Sequence, residues 1–324
     1  MSTHTREFSY TLPEERIASH PSQKREEARM LVLHRESGKI EHRKVTDFPS
    51  YLSPHERVVL NDSRVIRARV YADDGKIELL LLRELEAQKW TCLGRPGKRL
   101  RVGSQFSVSG IAVKVESILE DGERVIVFDQ PPDLEAIGEL PIPPYMKRRT
   151  EKLDDERYQT VYARHPGSIA APTAGLHFTK DLLSRIPHAF LTLHVGVGTF
   201  RPVTTEWIED HSMHSERYEI SGEAAKRINE AKSVTAVGTT VTRVLESQPE
   251  GKLNAIRGET DIFIYPPYTF RRVDHLLTNF HLPCSTLLML VCAFAGKELT
   301  LSAYAEAVKE KYRFFSYGDC MLIL

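Results

Sequence analysis

The strongest constraint on the fold is a change of texture between Ile66 and Gly138. Short β-type runs follow one another there: Ile66–Tyr71, Ile77–Arg83, Lys89–Leu93, Gln105–Val108, Ile111–Ile118 and Val125–Phe128. Turns at Asp74-Gly75, Pro96-Gly97 and Asp121-Gly122 separate them. Closely spaced strands with such turns predict a small barrel or sandwich. The flanking sequence reads differently. FSYTLPEERIA reads as a short helix with Pro13 at its start, Met30–His34 and Ile40–Arg43 as a hairpin around RESGK, and Arg57–Leu60 as a strand. After Asp154, helices are predicted over Lys180–Arg185, Glu223–Lys232, Thr239–Glu246, Ser285–Ala295 and Leu301–Tyr312. Strands are predicted over Ala189–Val195, Val234–Val237, Ile262–Tyr265 and Met321–Leu324. Such alternation points to an α/β domain with a mainly parallel sheet. The expected architecture is a discontinuous α/β domain (residues 1–65 and 150–324). Residues 66–149 form an inserted small β-barrel domain that ends in a Pro-rich crossover.

Composition narrows the function classes. The chain has 324 residues, 41% hydrophobic and 27% charged, which is enough for a sizeable core and about two domains. Lys and Arg total 44, as do Asp and Glu, so a polyanion would need a local basic patch. The four cysteines, Cys92, Cys284, Cys292 and Cys320, form no CxxC or CxxxCxxC pattern, which disfavours a zinc ribbon, a thioredoxin site or a radical iron–sulfur cluster. The N-terminal stretch lacks an apolar signal core, and the longest apolar run, Thr286–Ala295, is too short to span a bilayer. These features lead us to expect a cytoplasmic protein that does not engage a membrane.

Chemistry concentrates between Gly167 and Glu219, where glycines, histidines and polar residues crowd together. LHVGVGT ends a strand with GxG, but Phe200-Arg201-Pro202 follows in place of a third glycine and a helix start, so a dinucleotide turn fails. Two readings of the turn stay open: close approach of Gly196, Gly198 and Thr199 to a nucleoside, or a tight structural turn. His211 and His214 suit acid/base work with Glu216 as orienting carboxylate, and without HExxH they are not read as metal ligands. No GxSxG elbow and no Walker motif is present. Asn61-Asp62-Ser63-Arg64 follows a strand, where ligands bind at open sheet edges. Asn279, His281 and Ser285 precede a helix N-terminus, which suits either an anion or an ordinary N-cap. The run Gly97–Arg101 reads as a solvated turn more readily than as a phosphate contact, whereas Tyr145 beside Lys147, Arg148 and Arg149 pairs stacking with charge.

The blocks VLNDSRVIRARV, PPYMKR, DDERYQTVYA, GSIAAPTAGLHFT, LHVGVGTFRPV, HSMHSERYEI, VGTTVTRVLES, TNFHLPCSTLLMLVCAFAG and YRFFSYGDCMLI occur in this order over nearly the whole chain. Together they resemble the S-adenosylmethionine:tRNA ribosyltransferase-isomerase family of queuosine biosynthesis, with a compact loop at Gln248–Leu253 as the main departure. The resemblance implies an α/β domain with an inserted β-barrel. It implies transfer and isomerisation of the ribosyl group of S-adenosylmethionine onto the 7-aminomethyl group of a deazaguanine at the tRNA wobble position. Epoxyqueuosine, adenine and methionine would be the products.

That reaction needs a base to remove an acidified ribose proton beside the sulfonium, and a donor for the departing adenine. It needs no protein nucleophile and no metal. The candidate acid/base groups are His177, His194, His211, His214 and Glu216, with Asp62 as an outside choice; the HSMH pair ranks first. Gly196, Gly198, Thr199, Asn279, His281 and Ser285 are the candidates for holding S-adenosylmethionine, which acts as co-substrate. Lys147, Arg148, Arg149, Arg271 and Arg272 are expected on the phosphates of the tRNA partner. A monomer is expected. The rival readings are an S-adenosylmethionine-dependent RNA methyltransferase and a non-catalytic tRNA-binding protein.

Overall fold

A computed structural model describes residues 2–200 and 203–324 and, within them, all side chains but those of residues 199 and 200. Its centre is a nine-stranded sheet. Four parallel neighbours form the middle: His188–Leu193, Glu56–Asn61, Ser233–Val237 and His275–Asn279. Beyond His188–Leu193 lie Glu216–Ile220 and then Ile256–Thr260, both antiparallel. Beyond His275–Asn279 lies antiparallel Cys320–Ile323, then Arg29–Leu33 parallel to it, then Ile40–Lys44 at the far edge. The sheet is therefore mixed, not mainly parallel as expected. A parallel neighbour requires a crossover element. The turn after Leu33 closes a hairpin, and among its described residues the connection from Leu193 to Glu216 contains only short 3-10 turns.

Alternation along the strands feeds two cores. Leu31, Leu33, Val59, Leu191, Ala236, Leu276, Met321 and Ile323 face one side, under the helices Gly222–Asn229, Thr239–Glu246, Thr286–Ala295 and Lys297–Lys309. Met30, Val32, Val58, Leu60, Val237, Leu277, Cys320 and Leu322 face the other, under Phe48, Phe178, Leu182 and Ile186. Burial on both faces explains why Cys320–Ile323 reads as an unbroken apolar run. The helix Thr286–Ala295 is buried almost all round, which accounts for its composition. No single helix among the described residues is long and apolar enough to cross a membrane.

Several boundaries depart from expectation for local reasons. The FSYTLPEERIA helix shrinks to the 3-10 turn Glu14–Arg16. The last helix begins at Lys297, not Leu301, because Gly296 at φ +90° lets the chain turn and restart at once. Ile262–Tyr265 is no strand: its apolar residues pack on the core as irregular chain, and Arg243 Nε donates to the Ile262 carbonyl. The edge strand is instead Ile256–Thr260, largely exposed and without apolar alternation.

The second sheet is six-stranded and antiparallel, in the order Arg69–Tyr71, Glu78–Glu86, Lys89–Arg95, Arg124–Phe128, Ile111–Ile118, Gln105–Val108. One face encloses Val70, Leu79, Leu81, Trp90, Cys92, Val113, Val115, Ile126 and Phe128. The sheet curls as a half-barrel. Its edge strands meet at Asp73, whose N–H donates to the Ser107 carbonyl (2.9 Å) and whose carboxylate accepts from the N–H groups of Ser109 and Gly110.

Where the chain leaves this sheet it pairs with its own entry: Glu139 N–H donates to the Arg69 carbonyl at 2.8 Å and Arg69 N–H to the Glu139 carbonyl at 3.1 Å. Gly138 makes the approach possible, since a Cβ there would lie 1.9 Å from the Arg67 carbonyl oxygen. Gly138→Ala must push these backbones apart. It is expected to cost about 1–3 kcal/mol, the usual range for overpacking, read as a lower urea midpoint at unchanged slope.

Candidate functional site

The four central parallel strands end at the same edge, where an open α/β sheet offers backbone groups and room for a ligand. The chain continues there into Asn61-Asp62, His194–Gly198, Gly238–Thr240 and Asn279–Ser285. Three of these ends, together with Ala171–Ala174, Phe315, Ser316 and Tyr145, line one cavity. Its floor holds Thr239 and Thr240 at the start of a helix whose cap is Gly238 at φ +91°. The Thr240 hydroxyl is buried and has no hydrogen-bond partner. One wall is aromatic: Tyr145 stacks on Phe315 with ring centroids 4.6 Å apart, and its hydroxyl hydrogen-bonds Ser316.

Two further cavities adjoin it. One, between the two sheets, is lined by Gly167, His194, Val195, Gly196, His214, Glu216, Arg83 and Leu85 among others, and shares Val195 with the first. The other is lined by Gly198, Thr204, Thr205, His211, His214, Glu216, Arg243 and Thr286 and shares Leu287 with the first. All three meet around Val195–Gly198.

The expected acid/base residues divide on inspection. His211 and His214 line one cavity; burial, then the nearby His214, lower the pKa of His211. Glu216 has other partners among the described residues. It is buried, forms an ion pair with Arg243 and accepts from the Gly196 N–H at 2.8 Å, so it pins the glycine turn to the helix Thr239–Glu246. His177 is also committed elsewhere. Its Nε2 donates to Asn279 Oδ1 at 3.1 Å, and burial pulls its pKa down to about 4 despite that bond. His194 faces the cavity between the sheets with a buried Nδ1 that lacks a partner, and burial lowers its pKa. Asp62 lies outside these cavities. It accepts from Thr192 Oγ1 at 2.7 Å and faces a polar cleft with Arg164, His165 and Arg227.

The co-substrate candidates are partly regrouped. Asn279, His281 and Ser285 all line the first cavity. Asn279 is held rigidly, donating to the Phe315 carbonyl at 2.8 Å while accepting from His177. His281 bonds Thr278 through Nε2 at 2.8 Å, with its pKa driven to about 3 by burial. Ser285 caps the helix Thr286–Ala295, accepting from Leu288 N–H at 3.2 Å. Gly196 and Gly198 make room for side chains: a Cβ on Gly198 would lie 2.8 Å from His214 Cδ2, and Gly196 faces Glu216. The Thr199 side chain lies outside the described residues. Thr239, Thr240 and Tyr145 escaped the sequence reading as pocket residues, though VGTT directly after a strand and before a helix was a usable signal.

The basic candidates separate too. Lys147 pairs with Glu14 in the open and Arg149 is exposed; both line a groove with Arg69, Tyr71 and Pro144 between the small sheet and the crossover. Arg148 is not available to phosphate, because Asp154 takes it in a bidentate pair at 2.7 and 2.8 Å. Arg271 and Arg272 sit before the start of the strand His275–Asn279, at the opposite edge of the sheet. Their guanidinium groups donate to the carbonyls of Glu246, Gln248 and Pro249. Among the described residues no cluster of three or more His, Cys, Asp or Glu has a metal-binding arrangement.

The two buried histidines generate a pH test. Their folded values lie below the ordinary 6.5, so between 6.5 and those values the unfolded chain binds more protons. Stability is full above about pH 6.5 and falls as pH drops towards the folded values. His177→Gln removes one such proton site. The difference in melting temperature between the native protein and His177→Gln should therefore shrink from pH 7 to pH 5, as measured by calorimetry.

Comparison with known proteins shows the family. A model of the family described as queuosine biosynthesis protein matches residues 5–323. The S-adenosylmethionine:tRNA ribosyltransferase-isomerase of Halothermothrix orenii is 50% identical over 341 residues, covering 98% of this chain and 99% of that protein. The protein of the same name from Clostridioides difficile is 49% identical with the same coverage. The crystal structure of S-adenosylmethionine tRNA ribosyltransferase from Thermotoga maritima matches at a TM-score of 0.57 and 38% identity, covering 98% of this chain and 100% of that one. With matches of this length and identity, the chain belongs to the queuosine biosynthesis family, alongside these S-adenosylmethionine:tRNA ribosyltransferase-isomerases.

Proposed function

We propose that the chain transfers the ribosyl moiety of S-adenosylmethionine to the 7-aminomethyl group of a deazaguanine at the tRNA wobble position and isomerises it. Epoxyqueuosine-tRNA, adenine and methionine are the products. The observation that carries the reading is the convergence of Val195, Gly238–Thr240, Thr278–Ser285 and Phe315-Ser316 on one cavity, beside the cavity of His211 and His214. In this reading the first cavity takes the adenosyl group, with Tyr145 and Phe315 against its ring and the free Thr240 hydroxyl as a polar contact. The base is a histidine of the HSMH pair. A base must start neutral, and the lowered pKa of His211 meets that requirement at pH 7. It removes the ribose proton next to the sulfonium, the neutral aminomethyl group attacks, adenine departs, and epoxide closure expels methionine as a neutral thioether.

The unit that carries this chemistry is residues 1–65 with 150–324, and residues 66–149 form the inserted one. Support comes from the half-barrel's own apolar cluster, to which residues 150–324 contribute only Ile169 and a contact from Val197. tRNA docks along the groove of Lys147 and Arg149. The exposed Lys147–Glu14 pair contributes little and exchanges readily for a phosphate.

Incubation with S-adenosylmethionine and tRNA bearing the aminomethyl base should release adenine and methionine and add the ribosyl-derived mass to the tRNA. S-adenosylhomocysteine would mark a methyltransferase instead, and tRNA binding without turnover a non-catalytic module. Asn substitution of the base histidine should slow adenine release by about 10²–10⁴-fold. Full activity in both His211→Asn and His214→Asn rules the pair out.

The docking surface makes a separate prediction. tRNA affinity should fall steeply with salt, and Lys147→Ala or Arg149→Ala should each lower the slope of log K against log salt by about 0.7–0.9. Unchanged slopes in both variants would move the tRNA to another face.

A further inference from the structure

Asp154 belongs to the DDERYQTVYA block, which the reading above leaves without a role. Its carboxylate is buried, with 1% of the side chain exposed. Burial raises its pKa, but Arg148, the Glu151 N–H and Tyr317 outweigh that and leave it lowered. The attachments are specific. Arg148 clamps both oxygens at 2.7 and 2.8 Å, the Tyr317 hydroxyl donates to Oδ1 at 2.7 Å, and the Glu151 N–H donates to Oδ2 at 2.8 Å. Arg148 Nε also donates to the Ser19 carbonyl at 2.9 Å.

These attachments lead to the two halves of the aromatic wall. Arg148 lies three residues after Tyr145, and Tyr317 lies two after Phe315. Both segments bend through left-handed backbone at residues that have a Cβ: Lys147 at φ +51° and Phe315 at φ +72°. Such conformations persist only where the surroundings over-determine them. One buried carboxylate thus fixes both segments from behind, and Tyr145 and Phe315 meet on the cavity side.

We infer that Asp154 is a positioning residue, which holds the Tyr145–Phe315 wall of the cavity in place for S-adenosylmethionine through Arg148 on one side and Tyr317 on the other. This rests on the reading of that cavity as the co-substrate site. Arg148→Lys keeps a charge on Asp154 but loses the bidentate fork, and Tyr317→Phe removes a single hydrogen bond.

The test measures the Kd of S-adenosylmethionine by calorimetry and the steady-state constants of both variants, alone and combined with Tyr145→Ala. The expected result is a rise in Kd and KM of about tenfold with kcat within about twofold. In the Tyr145→Ala background the same changes should add nothing, because the wall they act through is gone. Additive effects in that background, or a fall in kcat at constant KM, overturn the inference. Should Arg148→Lys fail to fold, Tyr317→Phe carries the test alone. The functional reading is judged separately: if the native protein binds S-adenosylmethionine but forms S-adenosylhomocysteine, that reading fails, while the Kd cycle still decides the role of Asp154.

Discussion

The buried ion pair between Glu216 and Arg243 is the interaction on which the site depends. Their side chains are 4% and 5% exposed, so both charges have left water, and only complete pairing makes that tolerable. The geometry supplies it. Glu216 takes the Arg243 guanidinium on one oxygen and the Gly196 N–H on the other, while Arg243 also donates to the Ile262 and Thr260 carbonyls. A pair this dry adds little net stability over an apolar replacement, but loss of either member strands a buried charge at a cost of about 3–5 kcal/mol. Its effect is to join three segments distant in sequence: the glycine turn after a central strand, the strand that follows the HSMH histidines, and the helix that begins at the cavity floor.

A second consequence follows for the histidines. The protein surrounds its cavities with imidazoles but does not treat them alike. His177 and His281 are fully buried and tied to Asn279 and Thr278, with pKa values far below neutrality, so they act as neutral hydrogen-bonding groups. His211 is only partly buried, packed edge-on to Phe263, and keeps access to its cavity. Burial thus sorts scaffold histidines from those able to exchange a proton, which residue type alone does not reveal.

This explains what was legible in the sequence. The helix Thr239–Glu246 and the strand Ser233–Val237 were readable because Gly238 punctuates them and the apolar pattern is local. The motif blocks identified the family. The edge strand Ile256–Thr260 was invisible, since a strand exposed on most positions has no apolar alternation to read. Roles that depend on a distant partner were invisible too. Glu216 gave no local sign of its pairing with Arg243, and Arg148 looked as free as Lys147 until Asp154 took both its terminal nitrogens. Arg271 and Arg272 read as a basic pair because nothing local shows that they clasp the end of a helix at the opposite edge.

The lining of the first cavity bears on the proposed chemistry. Among the described residues it holds aromatic, aliphatic, hydroxyl, amide and imidazole groups but no carboxylate, lysine or arginine. A sulfonium entering it gives up water and receives no opposite charge, only the faces of Tyr145 and Phe315, which attract a cation weakly. The proposed reaction expels that sulfur as neutral methionine. An environment that solvates a cation poorly raises the starting state relative to a transition state in which the charge at sulfur is already fading. A carboxylate beside the sulfur would do the reverse: it would bind the substrate more tightly and then oppose loss of the charge it had bound. Charged groups stand off this first cavity, in the Glu216–Arg243 pair, which borders the adjoining cavity of the histidines, and in the Asp154–Arg148 pair. There they set the shape of the cavity without placing charge on its surface.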